Sequence, residues 1–230
     1  MFHTHVDDGL HAIDRRSQQA SSVLESLTRK LKLLRQGGDF VYCGRHITVT
    51  PDAFYLDQAR SAAQVDSLVL SDRSRRRDPS SPLDDSEVSQ YRSVLGQILW
   101  LAQQSRLDLC VGVSLLARRT TKATVEDAVA LNKLARAARD GAGNQIVIRR
   151  RLIDLSTCVV LVYGDAAFAN AEGDKSQFGM LCLLTHQPDL GVAGRFDLAI
   201  LVGWHSGTVK RGVRSTLAAE GYASCESSEA

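Results

Sequence analysis

The chain has 230 residues, of which 44% are hydrophobic and 23% are charged, as is ordinary for a globular protein of one large or two small domains. The net charge of +2 favours no class of partner, and no apolar run approaches the roughly 20 residues that span a membrane. The N-terminus lacks the pattern of a secretory signal. Five cysteines at long spacings, without a C-x-x-C pair, indicate an intracellular location in the cytoplasm or nucleus.

The first 70 residues are predicted to alternate between short strands and helices. Apolar residues at helical spacing, ended by two glycines, mark the longer helix, and turn residues separate the strands. In chain order the elements are a hairpin at Phe2–Ile13 turning at Asp7–Gly9, a helix at Ser17–Leu34, two strands within Asp39–Gln58 broken at Thr50–Asp52, and a short helix at Ala59–Leu70.

A Ser- and Arg-rich stretch at residues 71–85 is predicted to be a linker, and helices are predicted after it. Thr124 and Asp127 have the spacing of a capping box, which marks the start of the last of these helices. The predicted helices are Ser86–Gln104, Leu107–Ala117 and Thr124–Asp140. Beyond them are predicted strands at Thr157–Tyr163, Phe178–Leu184 and Asp197–Trp204, then a helix at Arg214–Ala230.

The adjacent carboxylates of Asp7 and Asp8 are the first candidate functional residues. Two neighbouring carboxylates repel each other unless a cation neutralises them, and two-metal nucleotidyl transfer needs such groups at an exposed turn. Two alternatives stay open at this point. The D-D-G sequence also makes a simple turn, and His3, His5 and Asp7 are similar to the H-x-H-x-D zinc motif of metallo-β-lactamase-like hydrolases.

A basic segment runs from Arg106 to Arg151, with ten Lys or Arg residues against four Asp or Glu. Such a segment either faces phosphates or forms a solvated helix face. The candidate nucleic-acid contacts within it are Arg118, Arg119, Lys122, Arg149, Arg150 and Arg151.

Segments similar to copia-type reverse transcriptases follow the N-terminal hairpin in the order that the family has. The family has a Tyr-Val-Asp-Asp hairpin, a helix, a strand pair ending in Tyr-Leu-x-Gln, then Tyr-Arg-x-x-x-Gly-x-x-x-Tyr-Leu, Thr-Arg-Pro-Asp and Val-Ser-x-Leu-(Ser/Ala)-Arg. The matching segments are His5–Asp8 (HVDD), Phe40–Gly44 (FVYCG), Phe54–Gln58 (FYLDQ), Tyr91–Leu101 (YRSVLGQILWL), Ser105–Asp108 (SRLD) and Val113–Arg118 (VSLLAR).

The C-terminal part resembles the RNase H domain of the same family. The family elements are Ser-Asp-Ala-Asp-Trp, Lys-Ser-Thr-Ser-Gly, Ser-Trp-x-Ser and Ser-Thr-Glu-Ala-Glu-Tyr. Their counterparts are Gly164–Ala169 (GDAAFA), Lys175–Gly179 (KSQFG), Gly203–Ser206 (GWHS) and Ser215–Tyr222 (STLAAEGY). The resemblance implies polymerase metal ligands at Asp7 and Asp8 and RNase H metal ligands at Asp165 and Glu220. It also implies Mg²⁺ or Mn²⁺ as cofactor and an RNA–DNA hybrid as substrate.

Departures from the family pattern bear on activity. The family's earlier palm aspartate and its third RNase H carboxylate have no counterpart, which is expected of a chain cut short at both ends. Ala167 stands where the family has a second aspartate, and Leu107 where it has a proline. We therefore expect either activity to be weak or missing, and whether the chain is an enzyme stays open.

The sequence thus predicts an α/β (α+β) protein in four parts. They are a partial reverse transcriptase palm (1–70), the linker (71–85), a helical connection (86–156) and an incomplete RNase H-like mixed sheet with helices (157–230). The predicted function is that of a retrotransposon reverse transcriptase and RNase H fragment that binds nucleic acid and no membrane. A non-catalytic nucleic-acid-binding remnant and a zinc hydrolase are the alternatives.

Overall fold

The structure is a computed structural model that describes residues 2–5, 8–11, 13, 16–71, 78–171, 175–186, 199–209 and 215–228. In this part of the chain α and β elements are mixed, in agreement with the predicted α+β class. The strands are β1 (Phe2–His5), β2 (Asp8–His11), β3 (Asp39–Tyr42), β4 (Arg45–Val49), β5 (Ala53–Asp57), β6 (Ile146–Arg149), β7 (Cys158–Ala171), β8 (Lys175–His186) and β9 (Ile200–Thr208). The α-helices are α1 (Gln18–Lys30), α2 (Ala59–Ala63), α3 (Asp85–Gln104), α4 (Cys110–Ala117), α5 (Val125–Asp140) and α6 (Thr216–Ser228).

The N-terminal hairpin is present, but the predicted position of its turn is wrong. Strands β1 and β2 pair antiparallel, with His5 opposite Asp8 and Thr4 opposite Gly9. Asp8 and Gly9 therefore belong to a strand, because the strand pairing extends further toward the turn than the D-D-G sequence suggests.

A four-stranded antiparallel sheet follows, with the strand order β3-β4-β5-β6. Between residues 39 and 58 there are three strands, where two were predicted. The additional turn is at Cys43 and Gly44, whose φ angles of +49° and +71° suit a two-residue hairpin turn.

Strand β6 was not predicted, and its residues had been assigned to the helical connection. It pairs with β5, with Leu56 opposite Ile146 and Phe54 opposite Ile148. A four-residue strand has too little periodicity to be recognised alone, and its partner lies far earlier in the chain. The predicted palm sheet therefore receives a strand from beyond the helices.

Helices α3, α4 and α5 share one hydrophobic core, which also takes in Ala62, Val65 and Leu68. These three residues were predicted to lie in a helix that ends at Leu70, but α2 ends at Ala63. The side chain of Asn132 accepts from the amide of Leu68 and donates to its carbonyl, both at 2.8 Å, which replaces the backbone bonds of a helix. The predicted palm and helical parts are thus joined by a common core.

The starts of α3 and α5 are set by local sequence. The capping box predicted at Thr124 and Asp127 is confirmed, and Asp84 with Glu87 forms a second one at α3. Leu83, at the end of the predicted linker, is buried, and its amide donates to the carbonyl of Ala123. The C-terminal end of that linker is therefore packed against the helices.

The last sheet has the order β7-β8-β9 and is antiparallel throughout, whereas a mixed sheet was predicted. Helix α6 covers one face, where Ala219 and Ala223 pack against Ala166 and Phe178. The opposite face meets the helical layer, since the side-chain amide of Gln177 donates to Ser114 Oγ of α4 at 2.9 Å. The sheet is thus enclosed between the α3–α4 layer and α6.

Candidate nucleic-acid interface

The two carboxylates predicted to bind the polymerase metal ions are described only in part by the structure. Asp7 lies outside the described residues, and Asp8 is described by its place in β2 and not by its side chain. The same holds for His3 and His5 of the zinc alternative, which lie in β1. These four residues stay predictions.

The two carboxylates predicted to share an RNase H metal ion lie on different sides of the last sheet. Ala166 is buried against helix α6, and successive side chains of a strand alternate between faces, so Asp165 is on the face away from that helix. Glu220 is exposed on α6 itself, beside the buried Ala219. Asp165 Oδ1 accepts instead from the amide of Ala166 at 2.9 Å. The arrangement of this pair does not fit one shared divalent ion.

Three of the basic residues between Arg106 and Arg151 are engaged inside the fold. Arg139 donates to the carbonyl of Val65 at 2.7 Å. Arg119 Nε lies 3.3 Å from Asp127 Oδ1, a carboxylate of the α5 capping box. Arg106 is 1% exposed. Part of the basic segment therefore makes contacts within the fold, although of these three arginines only Arg106 is buried.

The predicted contact residues form two groups with helix α5 between them in the chain. Arg118 ends helix α4, and Lys122 is exposed in the loop that precedes α5. Arg149, Arg150 and Arg151 are all exposed, at the end of β6 and just after it. A helix of 16 residues is roughly 24 Å long, so one phosphate cannot bridge the two ends of α5.

The second group borders a hollow of about 390 Å³ lined by Pro51, Phe54, Arg150 and Arg151. The Arg150 guanidinium carbon lies 5.0 Å from the centroid of the Phe54 ring, in a cation–π contact. Arg150 Nη1 donates to the carbonyl of Thr50 at 3.2 Å, and the backbone amide of Arg150 donates to the carbonyl of Asp52 at 2.7 Å. Arg150 is therefore held in place with donors to spare, which is what recognition of a phosphate requires.

Arg106 joins the Ser105–Asp108 segment to the end of α5. Its Nε and Nη2 donate to the two carboxylate oxygens of Asp108 at 2.9 and 2.8 Å. Its Nη1 donates to the carbonyl of Ala138 at 2.9 Å, close to the C-terminus of the helix. A Cβ on Gly141 would come within 2.6 Å of Nη2, so the glycine makes room for the guanidinium. Arg106 thus neutralises Asp108 and caps a helix.

Several segments compared above with copia-type motifs contact one another through polar side chains. Ser105 Oγ donates to Gln58 Oε1 at 2.8 Å, which joins the Ser-Arg-Leu-Asp segment to the end of β5. Gln177 Nε2 donates to the hydroxyl oxygens of Ser114 and Ser206, each at 2.9 Å. Trp204 Nε1 donates to the carbonyl of Ala102 at 2.7 Å. The four-stranded sheet, the helices and the last sheet are therefore linked at the matched residues.

His46 lies between two aspartates at the surface of the four-stranded sheet. Its Nδ1 is 3.0 Å from Asp57 Oδ2, and its Nε2 is hydrogen-bonded to Asp39. The hydrogen bonds to Asp39 and then Asp57 raise the pKa of the imidazole above its ordinary value of 6.5. The imidazolium donates to both carboxylates at once, whereas the neutral ring can donate to only one.

We expect the His46 contacts to make stability depend on pH. Because the folded-state pKa is raised, the stabilisation is complete below about pH 6.5 and is lost as pH rises through the higher folded value. Since the side chains of His46 and Asp39 are 39% and 68% exposed and water screens their interaction, the loss should be within ~0.2–1 kcal/mol. Urea unfolding of the wild type and of His46→Gln between about pH 6 and pH 9 measures it. A stability difference that stays constant over this range would contradict the prediction.

Sequence reasoning missed Phe54 and Pro51 as neighbours of the basic group, because strand β6 was not predicted. It also gave no sign that Arg106 is buried. The Arg106 and Asp108 spacing of two residues, before an apolar helix, was the available signal for an internal ion pair.

No helix in the described parts of the chain has the length and apolar character needed to cross a bilayer.

Comparison of the chain with protein-family models, with curated proteins and with solved structures finds no match.

Proposed function

We propose that the chain is the part of a copia-type retrotransposon polyprotein that runs from the reverse transcriptase palm into the RNase H domain. On its own it binds nucleic acid, with RNA–DNA hybrid as the natural ligand, and has weak catalysis or none. Mg²⁺ or Mn²⁺ would be the cofactor of the parent activities, and the chain would act in the cytoplasm or nucleus.

The observation that carries the proposal is the set of contacts between motif-matching segments. Ser105 to Gln58 and Ser114 to Gln177 are pairs of residues drawn from separate matched segments, 47 and 63 positions apart in the chain. The contact between these segments supports a common origin for the part of the chain from β5 to β8.

The binding surface of the proposal is the hollow at Phe54 and Arg150. The side chains of Arg149 and Arg151 have no hydrogen bond or ion pair with any described residue, so their charges are available to phosphates. Phosphate contacts of this kind give affinity without reading sequence. The chain is therefore expected to bind hybrids and duplexes of any sequence.

Fluorescence polarisation of a labelled RNA–DNA hybrid tests this function. The expected phosphate contacts are Arg149, Arg150 and Arg151, together with one or both of Arg118 and Lys122. With these contacts, a plot of the logarithm of affinity against the logarithm of salt concentration should have a slope of about −3 to −5. The titration is repeated with a DNA duplex and a single-stranded RNA of the same length. Absence of binding at about 50 mM salt, or affinity that does not respond to salt, would refute the proposal.

We expect no hybrid-specific RNA cleavage above background with Mg²⁺ or Mn²⁺. The reason is that Asp165 faces away from helix α6, which carries Glu220, and this arrangement is unfavourable for positioning two ions for in-line displacement. Loss of one ion's charge stabilisation costs on the order of a thousandfold in rate. Gel analysis of a labelled hybrid provides the measurement. Turnover that disappears in both Asp165→Asn and Glu220→Gln would show that the carboxylates do act together.

A further inference from the structure

A second hollow lies between the four-stranded sheet and strand β9, and its volume is about 370 Å³. This is at the lower end of the roughly 300–1,000 Å³ of small-molecule sites. It shares no lining residue with the hollow at Phe54 and Arg150. The proposed binding of nucleic acid therefore makes no use of it.

One wall is a single face of the four-stranded sheet. Leu56 and Ile146 are directly opposite each other on neighbouring strands, and Ile148 lies two residues further along β6 on the same face. Arg45 belongs to this face too, because it lies two positions before Ile47, the cross-strand partner of Leu56. The wall is apolar with one cation.

The other wall comes from strand β9 and the end of helix α3. Leu201 and Trp204 line it. The hydrogen bond from Trp204 Nε1 to the carbonyl of Ala102 fixes the indole and satisfies its polar edge. What the tryptophan adds to the hollow is thus a fixed aromatic surface, suited to a flat apolar group.

Among the described lining residues Arg45 alone carries a charge, and no ion pair joins it to another described residue. Its Nε is shielded from solvent and has no hydrogen-bond partner among the described residues. None of the residues that line the hollow is acidic. No acidic side chain in the lining competes for the guanidinium, so a ligand whose carboxylate accepts from it is favoured.

We propose that this hollow binds a small amphipathic carboxylate. The carboxylate accepts from the planar fork of Arg45, and the apolar body lies against Leu56, Ile146, Ile148 and Trp204. A phosphate dianion fits less well, because the hollow supplies one cation and its remaining walls are apolar or neutral. This site is independent of the proposed nucleic-acid function.

Calorimetric titration of the full chain with 2-naphthoate and with the uncharged 2-naphthamide tests the site. The acid should bind about tenfold to a hundredfold more tightly than the amide, the gain expected of a charge-assisted hydrogen bond. In Arg45→Met the preference should fall to about one, while the control Arg60→Met, at an exposed arginine of α2, should keep it. Equal binding of acid and amide by the wild type, or a preference that survives in Arg45→Met, would overturn the proposal.

Two further measurements distinguish binding in this hollow from unfolding of the variant and from binding elsewhere on the chain. Arg45→Met should unfold at the same or a higher urea concentration than the wild type, because the buried Nε has no hydrogen-bond partner to lose among the described residues. Ile148→Trp fills the hollow and should abolish binding of both probes. Undiminished binding in Ile148→Trp, or displacement of 2-naphthoate by equimolar inorganic phosphate, would show that the ligand binds elsewhere or that any anion suffices.

Discussion

Replacing Arg106 with methionine should lower the free energy of unfolding by about 3 kcal/mol, because it removes a buried guanidinium that pairs with Asp108 and caps a helix. The guanidinium is 1% exposed and serves Asp108 together with the carbonyls of Ala137 and Ala138. Methionine keeps much of the volume but supplies no donor. The buried carbonyl of Ala138 then loses its side-chain donor. Urea unfolding followed by circular dichroism gives the difference.

Arg136→Met is the matched control, since Arg136 lies on the same helix and is exposed. Its effect should stay within about 0.5 kcal/mol, as is usual for surface positions. Asp108→Asn should fall between the two variants, because Asp108 is about half exposed and water can replace part of its interaction. An Arg106→Met variant as stable as Arg136→Met would show that the guanidinium does not hold the helix end.

The triple change Arg149→Gln, Arg150→Gln and Arg151→Gln should weaken binding of an RNA–DNA hybrid roughly tenfold to a hundredfold near about 0.1 M salt. The salt slope should also become shallower by about 3, because each lost phosphate contact removes nearly one released counterion. Glutamine keeps polar character and length while it removes the charge. Polarisation titrations at four or five salt concentrations measure both quantities.

A second triple variant distinguishes a local site from the effect of net charge. Arg60, Arg92 and Arg136 are exposed on three different helices, and changing all three to glutamine removes the same charge. Affinity should then change less than about threefold, since exposed charges beyond the Debye length are screened. If the two triple variants lose the same affinity and slope, binding is spread over the surface and the hollow at Phe54 and Arg150 has no special part in it.

The helices show which structural information is local. Thr124 and Asp127 satisfy the first amides of α5 from within the helix's own first turn, so their spacing alone predicted where α5 begins. The long strands β7, β8 and β9 were predicted within a few residues at most ends because β-branched and apolar residues are dense there. The order of the segments that resemble the family motifs is likewise known from the sequence, because it does not depend on tertiary contacts.

The candidate site depended on pairing between distant segments. Phe54 and Arg150 meet because β6 pairs with β5, and a four-residue strand carries no sign of its partner. Asp165 and Glu220 were predicted to share an ion. Whether Asp165 faces helix α6 depends on which alternate residues of β7 the helix covers, and these include Ala166. A shift of one residue in the register would place Asp165 on the face that α6 covers.

The sequence by itself therefore determined the α+β class, the helices and longer strands with their order, and the basic character of the segment that ends at Arg151, since propensity, capping and charge are properties of neighbouring residues. Only the tertiary structure decided that Arg106 is buried as a helix cap, that Arg150 contacts the face of Phe54, and that the buried Arg45 Nε has no hydrogen-bond partner among the described residues. These outcomes depend on the desolvation and pairing of groups that are far apart in the chain. Their interaction free energies arise only when the segments pack together.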